Sequence, residues 1–259
     1  MDLNDIKRLS GEIKIPVGII EKDYALTLTL SLLSKSETVE HTVFKGGTAI
    51  KKMYFPDARF SIDLDFDFNN ITINRIKKEL ASLITSDKFD TVKFVRIKDE
   101  FESKKEDVYR CTIEYEGPIK HNLNQSVRLD FSGRAPTLCK IHKRKIIEDC
   151  ISETTDVEIN TMDLTEIFAE KCRALITRKE QKSKDLFDIY FLINKGVTID
   201  KSLINKKFTD YKERFDMNYF THAINDISGV WKRDLQDLLP QGSIPDINNA
   251  ISLIRKKLF

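Results

Sequence analysis

The chain has 259 residues, 41% hydrophobic and 32% charged, an ordinary balance for a soluble globular protein of one large domain or two modest ones. Its formal net charge of +2 gives no global sign of nucleic-acid binding, so any such binding must come from local patches. Cys111, Cys139, Cys150 and Cys172 lie far apart without a CxxC pair, and the histidines form no HxH or HExxH pattern. A disulfide framework and a zinc site are thereby excluded.

The opening "MDLNDIKRLSGEIK" is polar and is no secretory signal, and no apolar run approaches the ~18 to 20 residues that span a bilayer. The expected location is the cytoplasm, with no membrane partner and with buried, reduced cysteines. Residues 17 to 34, "VGIIEKDYALTLTLSLLS", are apolar enough for a mostly buried helix. "HTVF" at 41 to 44 reads as a short strand ended by Gly46-Gly47, and "TAIKKMYF" as one or two helical turns stopped by Pro56. "RFSIDLDFDF", 59 to 68, is the clearest strand, and a charged helix follows over 73 to 86. Strand patterns recur at 91 to 97, 107 to 116 and 125 to 132.

The pattern changes near residue 160. "DLTEIFAEKCRALITRK" begins with Asp163 and Glu166 spaced as a capping box, and "KDLFDIYFLINKG" ends on Gly196. The expectation is an α/β (α+β) lobe over 1–155, with a mixed sheet and flanking helices, and a helical lobe over 156–259.

Asp63, Asp65 and Asp67 alternate with Ile62, Leu64, Phe66 and Phe68. On a strand, alternate side chains share a face at steps of about 6.6 Å, so three carboxylates crowd one side and repel. A solvated acidic face is the plain alternative. A bound Mg2+ ion would relieve the repulsion, since it takes hard oxygen ligands, and Mn2+ could stand in for it. A DxD pair can hold two such ions on a nucleotide's phosphates. "VRLDFS" offers Asp130 with the same alternation, and it joins the cluster if its strand lies beside 60 to 68. Gly46-Gly47, between strand and helix, lets backbone amides approach a phosphate. Thr48 can add a hydroxyl and Lys45 a charge. Neither the GxxxxGK[ST] nor the GxGxxG spacing occurs.

Strand, Gly-Gly, short helix, then a strand with Asp-x-Asp resembles the DNA polymerase β-like nucleotidyltransferase superfamily. More narrowly, "FKGGTAIKKMY…ARFSIDLDF", "EKDYALT" and "AEKCRALITRKEQKSKDLFDIYFL" resemble the AbiEii/AbiGii (MenT-like) toxin nucleotidyltransferases. The resemblance covers about 15 to 195. One departure is the fifteen residues between Gly47 and Asp63, at the long end of the superfamily's spacing. The resemblance implies a mixed sheet with packed helices and a helical lobe, and transfer of a nucleotide from an NTP to an acceptor, for some members the 3′ end of tRNA. It also implies a cognate antitoxin. It carries Gly46, Gly47, Asp63 and Asp65 over as the first motif, and Lys171 and Asp188 as the lysine and aspartate of the later ones.

The residues themselves allow plainer readings. Lys171 shares a helical face with Ile167, Ala174 and Leu175, so it either neutralises triphosphate charge or snorkels from an apolar stripe. Asp188 lies in the apolar "LFDIYFLI", where a surface pair with Lys184 is the alternative. "KIHKRK" (with Lys143 and Arg144) and "RKEQKSK" (with Arg178 and Lys182) are either RNA backbone contacts or solvated loops. A nuclease, a transferase with a protein or small-molecule acceptor, and a non-catalytic NTP-binding module are the rival functions.

Overall fold

The computed structural model describes residues 1–86, 89–120, 125–147, 157–180, 182–213, 217–225 and 227–258. The chain divides into two compact units, Met1–Met162 and Asp163–Phe259. The first runs α1 (Leu3–Ile13), α2 (Val17–Ser34), a short 3-10 turn, β1 (Thr42–Lys45) and α3 (Gly46–Ala49), which continues as a π turn over Ile50–Tyr54. Then come β2 (Asp63–Phe68), α4 (Ile73–Ser86), β3 (Lys93–Ser103), β4 (Val108–Glu116), β5 (Ser126–Ser132), β6 (His142–Lys145) and β7 (Glu158–Thr161).

The strands form one mixed sheet in the order β3-β4-β5-β2-β1-β7-β6. The β2–β5 and β1–β7 pairs are parallel and the other pairs antiparallel. Four aromatic residues set the central register. Phe44, Phe66, Phe131 and Tyr109 are direct partners across β1, β2, β5 and β4, all buried. Their ring centroids lie 5.2 Å apart for Phe44–Phe66 and for Phe66–Phe131, and 6.1 Å for Tyr109–Phe131. Because side chains alternate along a strand, the residue next to each aromatic faces the other way. Those neighbours are Lys45, Asp65, Asp130 and Arg110, and they too are direct partners.

Helix α2 is apolar nearly all round and buried along most of its length, and it packs on β5, α4 and β7. Its buried carboxylates, Glu21 and Asp23, have assigned partners. Glu21 is fully buried and accepts the Ile119 amide at 2.7 Å and the Gln125 side-chain amide. Burial raises its pKa, and those two donors hold the rise in check. Asp23 Oδ2 accepts from Lys52 Nζ at 2.9 Å, and the same ammonium donates to Thr27 Oγ1 at 2.7 Å. Lys52 lies in the π turn, so this pair ties the helical run after Gly46 to α2.

Three sequence expectations change. The strand expected from Arg59 begins only at Asp63; Arg59 is buried, and its Nη1 donates to the adjacent Phe60 carbonyl at 3.0 Å. β6 and β7 are strands the sequence reading missed, since "HKRK" carries no apolar alternation and β7 is four residues long. Glu166, expected in a capping box, has its carboxylate 2.5 Å from Lys207 Nζ, while Asp163 caps by accepting the Thr165 amide at 2.8 Å.

The second unit comprises α5 (Leu164–Thr177), α6 (Lys182–Asn194), α7 (Lys201–Asp210), α8 (Met217–Asn225), α9 (Trp231–Leu235) and α10 (Ile247–Leu258). α5 packs against α6, α7 and α8, and α6 against α9 and α10. Gly196, at φ +75°, ends α6 as expected. Lys207 is fully buried between Glu166 and Glu170, the latter at 2.9 Å; burial alone would depress its pKa, but the two carboxylates raise it. Cys111 and Cys172 are buried free thiols, and burial pushes the Cys111 pKa up to about 12. Cys139 is in no disulfide and is partly exposed, and Cys150 lies outside the described residues. Among the described residues no helix is long and apolar enough to cross a membrane.

Removing one partner of a buried pair leaves an uncompensated charge. Asp23→Ala is therefore expected to lower stability by about 3 kcal/mol or more, measured as a shifted midpoint in chemical denaturation. Asp23→Leu combined with Lys52→Met should recover most of the loss. A single variant as stable as the wild type would show that the pair is dispensable.

Candidate active site

The site grows from the polar row behind the aromatic one. Asp65 and Asp130 are direct partners on parallel strands, so two carboxylates stand side by side about 4.8 Å apart in strand spacing. Cations meet this repulsion. Arg110 Nε donates to Asp130 Oδ1, and Arg128 Nε donates to Asp130 Oδ2 at 3.1 Å while lying 3.9 Å from Asp63 Oδ1. Burial works against the Arg128 charge, but Asp63, Asp130 and Asp65 outweigh it and raise its pKa.

On the β1 side, Gly46 adopts φ +80°. A Cβ there would collide with Asp65 Oδ2 and come 3.1 Å from Asp65 Cγ. The glycine is thus required twice, for its backbone angle and for the space the Asp65 carboxylate fills. A Cβ on Gly47 would meet Arg59 Nη2 at 2.9 Å and Ser61 Oγ at 3.1 Å. Arg59 brings positive charge to the Gly-Gly turn, and the sequence reading passed over it although it stands four residues before Asp63.

The structure redistributes several expected roles. Lys45 Nζ lies 2.6 Å from Asp67, whose side chain is buried and also accepts from Thr137 Oγ1 at 3.5 Å. Asp67 thus anchors Lys45 and does not face solvent. Thr48 is buried, and its hydroxyl donates to the Asp63 carbonyl at 2.5 Å; it fixes α3 to the start of β2 where a phosphate contact was expected. Asp130 does lie beside Asp65, but both its oxygens are engaged by arginine. Among the described residues no group of three or more His, Cys, Asp or Glu is arranged to hold a metal; with both Asp130 oxygens engaged by arginine, Asp63 and Asp65 form the pair considered for one. That pair is partly exposed and still fits Mg2+, which binds through one or two carboxylates and completes its shell with phosphate oxygens and water.

A further basic group lies close by. Burial lowers the pKa of Lys22 on α2, with Asp63 opposing the shift and Arg128 adding to it. Among the described residues Lys22 makes no ion pair. Its signal in the sequence was the "EKDYALT" stretch, where Glu21 and Asp23 have structural partners and Lys22 is turned toward the carboxylates.

In the second unit, Lys171 and Asp188 do come together. Lys171 Nζ is 2.8 Å from Asp188 and 2.9 Å from Asp185, and all three are buried. Asp185, which the sequence reading missed, also lies 3.3 Å from Arg178. A surface pair with Lys184 is a poor description of so buried an aspartate. Of the other residues expected to touch RNA, Lys143 is exposed and 3.4 Å from Glu40, while Arg144 stacks 4.0 Å over the Tyr54 ring. Lys182 lines a cavity of about 610 Å³ together with Lys179, Lys184 and Arg233.

A mixed sheet whose central strand sets alternate carboxylates against a glycine turn is the layout of an enzyme that handles nucleoside triphosphates. The family model described as "Nucleotidyl transferase AbiEii toxin, Type IV TA system" matches residues 29–252, and the chain belongs to that family of nucleotidyltransferase toxins. Among solved structures it is similar to MenT4, a nucleotidyltransferase toxin from Mycobacterium tuberculosis H37Rv, at 18% identity and TM-score 0.65 over 93% of this chain and 83% of that one. It is also similar to JHP933 from Helicobacter pylori, at 22% identity and TM-score 0.52 over 90% and 91% of the two chains. A putative nucleotidyltransferase from H. pylori aligns at 21% identity and TM-score 0.52 over 92% and 96%. These likenesses bear out the expected fold. No curated protein matches the chain by sequence.

Gly46→Ala should displace the Asp65 carboxylate and lower turnover on the order of 10²-fold, as misplacement by about 1 Å does. Gly196→Ala also strains a positive φ, but no atom lies within 4 Å of the added methyl, so activity should persist. Equal activity in the two variants, measured by pyrophosphate release, would remove Gly46 from the site.

Proposed function

We propose that the protein moves a nucleoside monophosphate from an NTP to an acceptor hydroxyl at the 3′ end of an RNA, with tRNA as the favoured acceptor, in a Mg2+-dependent reaction in the cytoplasm. The observation that carries this reading is the Asp65 carboxylate packed into the space beside Gly46, with Asp63 on the same face of β2. Asp63 and Asp65 would hold the metal, which supplies charge neutralisation for the triphosphate when bound. Gly46 and Gly47 let the backbone approach the phosphates, and Arg59 beside Gly47 adds positive charge there.

The acceptor oxygen attacks the α-phosphorus in line, the bond to the bridging oxygen breaks, and pyrophosphate leaves. The hydroxyl proton passes toward Asp130. A carboxylate offers about four lone-pair sites, so Asp130 keeps acceptor capacity after taking one N–H from each arginine. In the second unit, Lys171 is proposed as a catalytic cation and Asp188 as the group that orients it, a reading supported by the 2.8 Å pair between them. Asp185 would share that task. Lys143, Arg178 and Lys182 are proposed as weak phosphate contacts, Arg144 less so because it stacks on Tyr54. An antitoxin encoded with the protein would restrain it.

The test uses α-labelled NTPs, one base at a time, with Mg2+ and total tRNA, on wild type, Asp63→Ala and Asp65→Ala. Label on tRNA with the wild type alone is the expected result, each substitution removing about 10²- to 10³-fold of the rate by analogy with the loss of other transition-state electrostatics. Label on protein in place of RNA would move the acceptor assignment, and RNA fragments without pyrophosphate would make the protein a nuclease.

A further inference from the structure

The Asp130 clamp contains more donors than the clamp uses. A guanidinium carries five N–H groups, and Arg110 and Arg128 each spend Nε on Asp130. Among the described residues their Nη groups have no further partner, and the side chains are 38% and 34% exposed. Two outward forks therefore stand on adjacent strands, β4 and β5, on the face that carries Asp63 and Asp65. The cationic Lys22 lies close to Arg128 and Asp63. Asp130 and Asp63 hold part of this positive charge, and the Nη donors of the two arginines remain for a further anion.

The row across the sheet gives this cluster a direction. Lys45, Asp65, Asp130 and Arg110 follow one another on β1, β2, β5 and β4. The glycine turn and Arg59 lie toward the β1 end, while Arg110 is two strands beyond Asp65, about 9.6 Å at the usual strand spacing. In-line displacement puts the attacking oxygen opposite the leaving pyrophosphate. If the triphosphate lies toward β1, the acceptor must enter from the β5–β4 side, past Asp130.

The geometry points to a phosphate seat formed by Arg110 and Arg128, with Lys22 beside it, that receives the backbone phosphodiester of the acceptor next to its attacking hydroxyl. The inference rests on the nucleotidyl-transfer reading and deepens it, because it names the residues that would hold the acceptor strand's backbone beside its attacking hydroxyl. The same two arginines would hold Asp130 by Nε and the phosphodiester by Nη, so the base and the acceptor strand are aligned by shared side chains. Arginine suits this task because its planar fork serves two anions in fixed geometry, which a lysine cannot do.

The experiment compares wild type with Arg110→Gln, Arg128→Gln and the corresponding lysine variants, all checked for an unchanged thermal melt. Binding of a short single-stranded RNA oligonucleotide is followed by fluorescence anisotropy at several salt concentrations without NTP. Transfer kinetics give separate KM values for the oligonucleotide and for the NTP. Each glutamine variant is expected to weaken the oligonucleotide roughly tenfold in Kd and KM and to reduce the salt slope by about 1, leaving the NTP KM within about twofold, a change too small for a lost charged hydrogen bond. Lysine should restore the slope more than the affinity. A raised NTP KM with unchanged RNA binding would assign the seat to the donor triphosphate and overturn the inference. A lower kcat with both KM values unchanged would reduce the arginines to positioning Asp130, which also overturns it. Wild type that binds NTP yet labels no RNA would sink the transfer reading itself, and the seat with it.

Discussion

Everything chemical in the first unit hangs on the stack of Phe44, Phe66, Phe131 and Tyr109. These rings are the apolar reason that β1, β2, β5 and β4 meet in one register, and a slip of one residue would turn each aromatic out and each polar neighbour in. The stack lies on one face of the sheet and the row Lys45, Asp65, Asp130, Arg110 on the other. Packing energy spent on the first row fixes the spacing of the second. Placing Asp65 and Asp130 side by side is electrostatically unfavourable, and the register shared with the aromatic row imposes it. The arginines then compensate, one from β4 and one from β5.

A second constraint holds the glycine turn against this row. Lys52 reaches from the π turn to Asp23 and Thr27 on α2, and Thr48 reaches from α3 to the Asp63 carbonyl. Both contacts hold the helical run that begins at Gly46, and Gly46 itself lies close against Asp65. The stretch "EKDYALT" becomes intelligible in these terms: Glu21 ties down the segment after β4, Lys22 turns to the carboxylates, and Asp23 anchors the π turn. One turn of helix serves three different jobs because its neighbours in sequence point in different directions.

Alternation made the strands legible. "SIDLDFDF" and "VRLDFS" place aspartates opposite aromatics, and the conditional expectation that Asp130 would stand near Asp65 follows from that pattern once the strands pair. The pairing itself was not legible, because nothing local in β2 says which strand lies beside it. For the same reason the arginine clamp was hidden: Arg110 and Arg128 alternate correctly in their own strands, yet their meaning depends on the partner. Lys45 and Thr48 were read as phosphate contacts from their proximity in sequence to Gly46-Gly47, and the partners the fold gives them, Asp67 and the Asp63 carbonyl, could not be read from that proximity. Lys171 and Asp188 were named without Asp185, whose position three residues before Asp188 sets both carboxylates on one helical face.

The buried stack also changes how one should think about loss of function in a protein of a toxin family. Cells that escape a toxin can do so by disabling it, and the target for such mutations is larger than the polar residues that do the chemistry. A change at Phe66 or Tyr109 never touches a substrate, but it loosens the ruler by which Asp65 and Arg110 are spaced. Inactive alleles should therefore accumulate on the dry side of the sheet as well as the wet one, in folded proteins whose active groups are all present and merely out of step.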